Sequence, residues 1–377
     1  MGGQSTMKGW NLVSRYWFGL LGSLVCVLAL GCASSPPASP AVPTTKRPSF
    51  LSPPEILERM EKSPVSYKVE PQDSPPGGWA EQLWPRQLEP VTWPQVVEEG
   101  GSRVLREWPQ KPEVQQLLAE AEPHYQAQRF EEAARLYAQA TERCPGCYLA
   151  WLFRGDAALF GGDPTTALAH YDKAAELNPY DYRAHFYRGS ALIRLERSQE
   201  AREAWAWSLV LNPRNPIIRQ FFQNNRSVGL AITDDVIVPR GRALAQDDGV
   251  VIHFDPDHHP AWFAYANCKA LWLGEPSHRQ EMTGSTEHRF TSAEELECLA
   301  SAVSLYESGL RKGEEEHEDR ALSRLSAIVQ GKMATELILF EMAARVHPQI
   351  TLTLDDEARK RLHAYVLRYV LVPTGGT

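Results

Sequence analysis

A period of thirty-four residues constrains this chain more than any other feature. Pro145, Pro179 and Pro213 fall 34 apart, and so do Ala133, Ala167 and Ala201. Tyr137, Tyr171 and Trp205 keep the same phase, as do Ala121, Gly155 and Gly189; Ala140 and Ala174 recur with Ser208 in the third copy. A repeat of this length is one supersecondary unit, able to bury its apolar face only against a neighbour. Ala or Gly lets helix backbones approach closely, and Pro, lacking an N–H, breaks a helix. Asp163-Pro164 and Asn178-Pro179 mark the turns.

These columns resemble the tetratricopeptide repeat (TPR), a helix–turn–helix unit of the same length. The resemblance implies three units, 114–147, 148–181 and 182–215, within a repeat domain spanning 113–225 that ends in a closing helix. It also implies a curved stack whose concave face is lined by the first helix of each unit. Those positions are Gln115, Leu118, Glu122, Tyr125 and Gln126, then Leu149, Leu152, Asp156, Leu159 and Phe160, then Arg183, Phe186, Ser190, Ile193 and Arg194. The groove is mixed apolar and lacks the Lys and Asn pattern with which some family members clamp a terminal carboxylate. Its expected guest is an apolar helix or extended peptide; a flanking helix of the same chain is the alternative. Terminal repeats need caps, so residues before 114 and after 215 are expected to supply them.

The N-terminus reads as an address. Lys8 and Arg15 are the only charges before Lys46, and Trp17 to Leu30 is uncharged and mostly apolar. Basic residues before a short apolar core are the layout of a signal peptide, and the run is short for a spanning helix. Leu28-Ala29-Leu30-Gly31-Cys32 resembles the lipobox of bacterial lipoproteins, although Ala29 and Leu30 depart from its preferred order. The resemblance implies removal of residues 1–31, lipid on Cys32 and anchoring in the cell envelope. Ala33, rather than Asp, follows Cys32; by resemblance to the lipoprotein sorting signal this implies the outer membrane, facing the periplasm. An uncleaved anchor and ordinary secretion are the alternatives.

Of 28 Pro, 16 lie between Pro36 and Pro112, which marks residues 32–112 as a separate stretch. Residues 33–55 lack the apolar content to offset chain entropy and read as a semi-rigid tether. Residues 56–112 add Trp79, Trp84, Trp93 and Trp108. They are expected to drape over the body as a strap, with short helices near Glu55–Glu61 and Trp93–Trp108.

Four cysteines remain beyond Cys26 and Cys32. An even number in an exported chain permits two disulfides, and Cys144–Cys147 with Cys268–Cys298 is the favoured one of three pairings. Free thiols, a redox centre or a metal site are the alternatives at Cys144-Pro145-Gly146-Cys147.

Residues 226–377 resemble nothing by motif. Val228–Pro239 and Gly249–Phe254 read as strands of a small hairpin. Helices follow near Pro260–Leu273, Ser292–Gly313, Asp319–Val346 and Asp355–Val370, with Ser292 and Glu295 as a capping box. The fold class is therefore mostly α: a three-repeat TPR solenoid followed by a mainly helical α+β domain. His253, Asp255, Asp257, His258 and His259 are dense enough to be metal candidates, although turn chemistry explains them more simply. Trp262, Tyr265, Leu271 and Trp272 form a stripe of the kind usually found in a core.

No phosphate loop, G-x-S-x-G, H-E-x-x-H or dinucleotide fingerprint occurs. A formal charge of −8 argues against a nucleic-acid partner. The expected function is a non-enzymatic, lipid-anchored scaffold binding an envelope protein or peptide in its groove, with no cofactor. A metal-dependent enzyme in the C-terminal domain, or a small-ligand binder, are the alternatives.

Overall fold

The computed structural model describes residues 49–84, 88–234, 237–312 and 319–374; the expected leader, Cys32 and most of the expected tether lie outside them. From Leu51 the chain forms one unit. Helix α1 (Pro53–Glu61) begins with a capping box in which Ser52 N donates to Glu55 Oε2 at 2.7 Å. Strand β1 (Tyr67–Pro71) and the short α2 (Ala80–Leu83) follow. Where a helix was expected from Trp93 to Trp108, the chain instead makes a hairpin of β2 (Pro94–Glu99) and β3 (Ser102–Glu107). The reason is local. Pro94 and two valines favour an extended chain, and Gly100 and Gly101, at φ 58° and 79°, supply the two positive dihedrals of a two-residue turn.

Six helices then answer the repeat period: α3 (Pro112–Gln126), α4 (Phe130–Arg143), α5 (Tyr148–Phe160), α6 (Pro164–Leu177), α7 (Tyr182–Arg194) and α8 (Ser198–Leu211). Gln128, Gly162 and Glu196, themselves 34 apart, take φ of 59°, 93° and 61° and turn each first helix into its second. The small-residue column is steric. A Cβ on Gly155 would sit 2.5 Å from the Tyr171 ring, and one on Gly189 2.5 Å from Trp205. Helix α9 (Pro216–Asn224) closes the stack: Phe221 meets Phe186 at 5.1 Å and Phe222 meets Trp205 at 5.4 Å.

A 3₁₀ turn (Arg226–Val228) leads to β4 (Leu230–Ile232), β5 (Gly241–Gln246) and β6 (Gly249–Phe254). The hairpin is β5–β6, with Gly241 opposite Phe254, and not the expected pairing of Val228–Pro239 with Gly249–Phe254. Among its described residues that segment forms only β4, antiparallel to the C-terminal β7 (Leu371–Pro373). Buried Asp234 takes Arg219 Nη1 at 2.8 Å, and Pro239 lacks an N–H to give a ladder. Strand β1 completes the larger sheet, parallel to β6, in the order β1-β6-β5. The residues expected to begin the strap thus pair with the chain beyond the repeats.

Helix α10 (Ala261–Gly274) packs on this sheet, followed by α11 (Pro276–Thr283), α12 (Ser292–Lys312) and α13 (Arg320–Gln330). The helix expected over Asp319–Val346 breaks at Gly331–Met333, where Lys332 takes φ 58°. It resumes as α14 (Ala334–Leu337), a π-helical stretch (Ile338–Ala343) and α15 (Ala344–Val346). A 3₁₀ turn (Ile350–Thr353), α16 (Asp356–Tyr365) and a second π-helical stretch (Val366–Val370) lead into β7. Trp262, Tyr265, Leu271 and Trp272 are all buried, so the aromatic stripe is core. The C-terminal segments also cover the outer helix of the third repeat. His363 stacks on Trp207 at 4.5 Å, and Thr351 Oγ1 donates to Val210 O at 2.6 Å.

Candidate functional site

The positions expected on the concave face divide into three zones along the first helices. The zone where α5 and α7 begin is covered by the chain itself. Asp181, fully buried, accepts Tyr148 Oη at 2.8 Å and Arg183 Nε at 2.7 Å. The Arg183 guanidinium lies 3.9 Å from the Trp93 ring centre and donates to Thr92 O. Asn178 Nδ2 donates to Pro94 O at 2.9 Å, and Trp108 meets Tyr148 edge-on at 4.7 Å. The hairpin base is therefore a clasp on the edge of the second and third repeats. Gln349 holds the segment leading into it through Val91 N and O, at 2.7 and 2.8 Å.

The middle zone is interior. Leu118, Leu149, Leu152, Asp156, Leu159, Phe186 and Ser190 are all buried. Asp156 accepts Tyr171 Oη at 2.7 Å. Burial pushes its carboxyl up to about 7; the Tyr171 hydrogen bond opposes this and Glu122 adds to it. Ser190 Oγ is spent on Phe186 O, at 3.1 Å.

The third zone, toward the helix ends, is open. Tyr125, Phe130, Phe160, Ile193 and Arg194 are half-buried, and Gln126 is exposed. Tyr125 meets Phe130 at 5.6 Å and Phe160 at 6.0 Å; Phe130 and Phe160 stack at 6.3 Å. Arg194 Nη1 donates to Leu159 O at 2.6 Å, its guanidinium 5.8 Å from the Phe160 ring centre. Phe130 was not among the expected groove residues because it starts a second helix, α4. Its large ring at a turn opposite Tyr125 was the available signal.

Outside the groove, disulfides join Cys144 to Cys147 and Cys268 to Cys298, the second linking α10 to α12. The His253–His259 loop does not converge. Asp255 accepts Ser74 Oγ at 2.5 Å and Asp257 N at 3.0 Å, His259 Nδ1 accepts Ala261 N at 3.1 Å, and His258 Nε2 lies 3.5 Å from Asp255. Among the described residues no three His, Cys, Asp or Glu come together as a metal site. Sequence reasoning missed a buried polar network between α10 and α12. Glu295, expected in a capping box, instead turns inward to Lys269 Nζ at 2.7 Å and Tyr265 Oη at 2.9 Å; the helix start is served by Thr291, whose Oγ1 accepts Glu294 N. Glu297 accepts Trp272 Nε1 at 2.7 Å and lies 2.8 Å from His278 Nε2. No described helix is long and apolar enough to cross a membrane.

Helical hairpins of fixed period, stacked around small-residue and aromatic columns, define a tetratricopeptide-repeat array. The family model for that repeat matches residues 118–182 and 155–216. The SGT1 homolog of Oryza sativa subsp. japonica is 41 % identical over 75 residues, 20 % of this chain and 20 % of that protein. The chain thus spans about a fifth of the length of this relative. Among solved structures, the Sgt2 TPR domain of Aspergillus fumigatus shares 18 % identity over 31 % of this chain and 79 % of its own, with a TM-score of 0.30. The Yersinia enterocolitica secretion chaperone SycD, in complex with a peptide of the translocator YopD, shares 18 % over 32 % of this chain and 88 % of its own, with a TM-score of 0.28. Repeats of this family are typical of protein-interaction scaffolds and chaperone-like adaptors.

Proposed function

We propose that this chain is a non-enzymatic adaptor of the bacterial envelope, anchored to the outer membrane by lipid on Cys32, whose repeats hold a short segment of a partner protein. The open aromatic zone formed by Tyr125, Phe130 and Phe160 carries this reading. With the other end of the face closed by the Trp93 clasp, the free surface suits one or two apolar side chains of a helix or extended peptide. The two disulfides fit an oxidising compartment outside the cytoplasm.

The test compares three proteins crosslinked and purified from the native envelope: wild type, Tyr125→Ser/Phe160→Ser and Cys32→Ala. Half-buried Tyr125 and Phe160 are chosen over Leu152 and Phe186, whose full burial would turn a charged substitution into an unfolding mutation. A partner captured by wild type and lost from the groove variant, itself checked for native helicity, is the expected result. The same partner on both proteins would move binding away from the groove. Cys32→Ala is expected in the soluble fraction; if it still pellets with membranes, the lipid anchor is wrong.

A further inference from the structure

Beyond the groove, the small sheet at the end of the repeat array has one sealed edge and one bare edge. In the β4–β7 ladder Ala231 lies opposite Val372. Thr374 N donates to Gly229 O and Thr233 N to Val370 O, both at 2.9 Å. Bonded and open pairs alternate in an antiparallel ladder. Ala231 is therefore the residue bonded to β7, and Leu230 and Ile232 direct their N–H and C=O groups to the opposite edge. Among the described residues nothing pairs with those four groups. The outer edge of β7 is closed by contrast, with Leu371 O accepting Arg202 Nε at 3.1 Å and Nη2 at 3.0 Å. An edge left open is a template for another strand, and proteins normally blunt it.

This edge borders a cleft of about 430 Å³ lined also by residues of α9 and the turn after it. Phe222 gives it a buried apolar wall, and Gln223 and Arg226 stand exposed at it. The Arg226 side chain makes no hydrogen bond or ion pair with any described residue. The three residues of β4 present an edge roughly 10 Å long.

We propose that this cleft is a second peptide site, in which an extended segment of another protein adds a third strand to the β4–β7 sheet. Main-chain hydrogen bonds to Leu230 and Ile232 hold the segment, an apolar side chain lies against Phe222, and a carboxylate meets Arg226. The guest is thus an extended segment of alternating apolar residues followed by an acidic one. The Arg226 cation selects that charge, and the bare edge requires main-chain amides rather than a helix.

Fluorescence anisotropy of the full chain with a fluorescein-labelled Val-Thr-Val-Asp peptide tests this directly. Two further peptides carry N-methyl groups on alternate amides, one in each phase. A strand bound at an edge turns every second N–H toward its neighbour, so one phase is expected to bind and the other to lose about tenfold or more. Ile232→Pro removes an edge N–H that the ladder does not use, a substitution edge strands tolerate, and is expected to weaken binding by a similar factor. Should that variant fail to fold, Arg226→Glu, at an exposed side chain, is expected to weaken binding at least about fivefold. Tyr125→Ser/Phe160→Ser is expected to bind as wild type, which separates this site from the groove. Absence of saturable binding, equal binding of both methylated peptides, or loss in the Tyr125/Phe160 variant alone would overturn the proposal. So would a concentration-dependent dimer broken by Ile232→Pro, which would give the edge to a second copy of the chain.

Discussion

Asp156 shows how a single residue can sit in a family's groove position and yet serve the interior. It is buried beneath the aromatic zone with Tyr171 as its donor, and its carboxyl is raised from 3.8 to about 7. A raised carboxyl means that the folded state holds the proton more tightly than the unfolded chain. The protein therefore gains stability as pH falls from about 7 toward 4 and loses it as pH rises through the same window. Asparagine cannot ionise and still offers Tyr171 an acceptor. Asp156→Asn is expected to melt above wild type at pH 8, by roughly 1–3 kcal/mol, with the gap closing toward pH 4. Glu341, also raised to about 7 by burial, titrates in both proteins and cancels in the difference. Thermal melts at the two pH values decide the matter, since a gap independent of pH would mean that the ionisation is not felt. The same lesson holds for Glu294, Glu295 and Glu297: near a helix start they look like capping and solvent residues, yet all three are buried. Only the arrival of Lys269, Tyr265, Trp272 and His278 from α10 and α11 makes their burial tolerable.

Among the elements, the β2–β3 hairpin is the one whose role changes most between sequence and structure. Four tryptophans in a proline-rich stretch announced contact with the body, but not its geometry. Arg183 joins the two, paired with Asp181 on one side and stacked on Trp93 on the other. Trp93→Ala removes the stacked ring and leaves the guanidinium with its ion pair. It is expected to cost about 1–3 kcal/mol in a urea titration. Amide exchange is expected to quicken across residues 94–107 while the α5 and α6 amides stay protected. If α5 and α6 amides lost protection equally, the hairpin would be part of the repeat core rather than a clasp on it. The repeat helices themselves were legible because each hairpin closes over short sequence separation, with its small column and aromatic column repeated three times. Strand β1 was not: its partner β6 lies far along the chain, and nothing in Tyr67–Pro71 names that partner.

For the whole molecule, the repeats are capped by more than their closing helix. Arg202 holds the backbone of Leu367 and Leu371, Trp207 stacks on His363, and Val210 is bonded by Thr351. A fragment spanning 112–225 is expected to be helical but to unfold at a clearly lower urea concentration than the full chain, because these outer faces of α8 would meet water. Equal midpoints would mean that the residues outside 112–225 contribute nothing to the array.

Sequence alone determined that the chain carries tetratricopeptide repeats, since these depend on a local period and on steric columns that recur in phase. Tertiary structure alone decided how much of the expected concave face stays open. Whether Arg183 meets a partner or the interior depends on where Thr92 and Trp93 pack. Those contacts join residues far apart in the chain, where no period relates one side chain to the other.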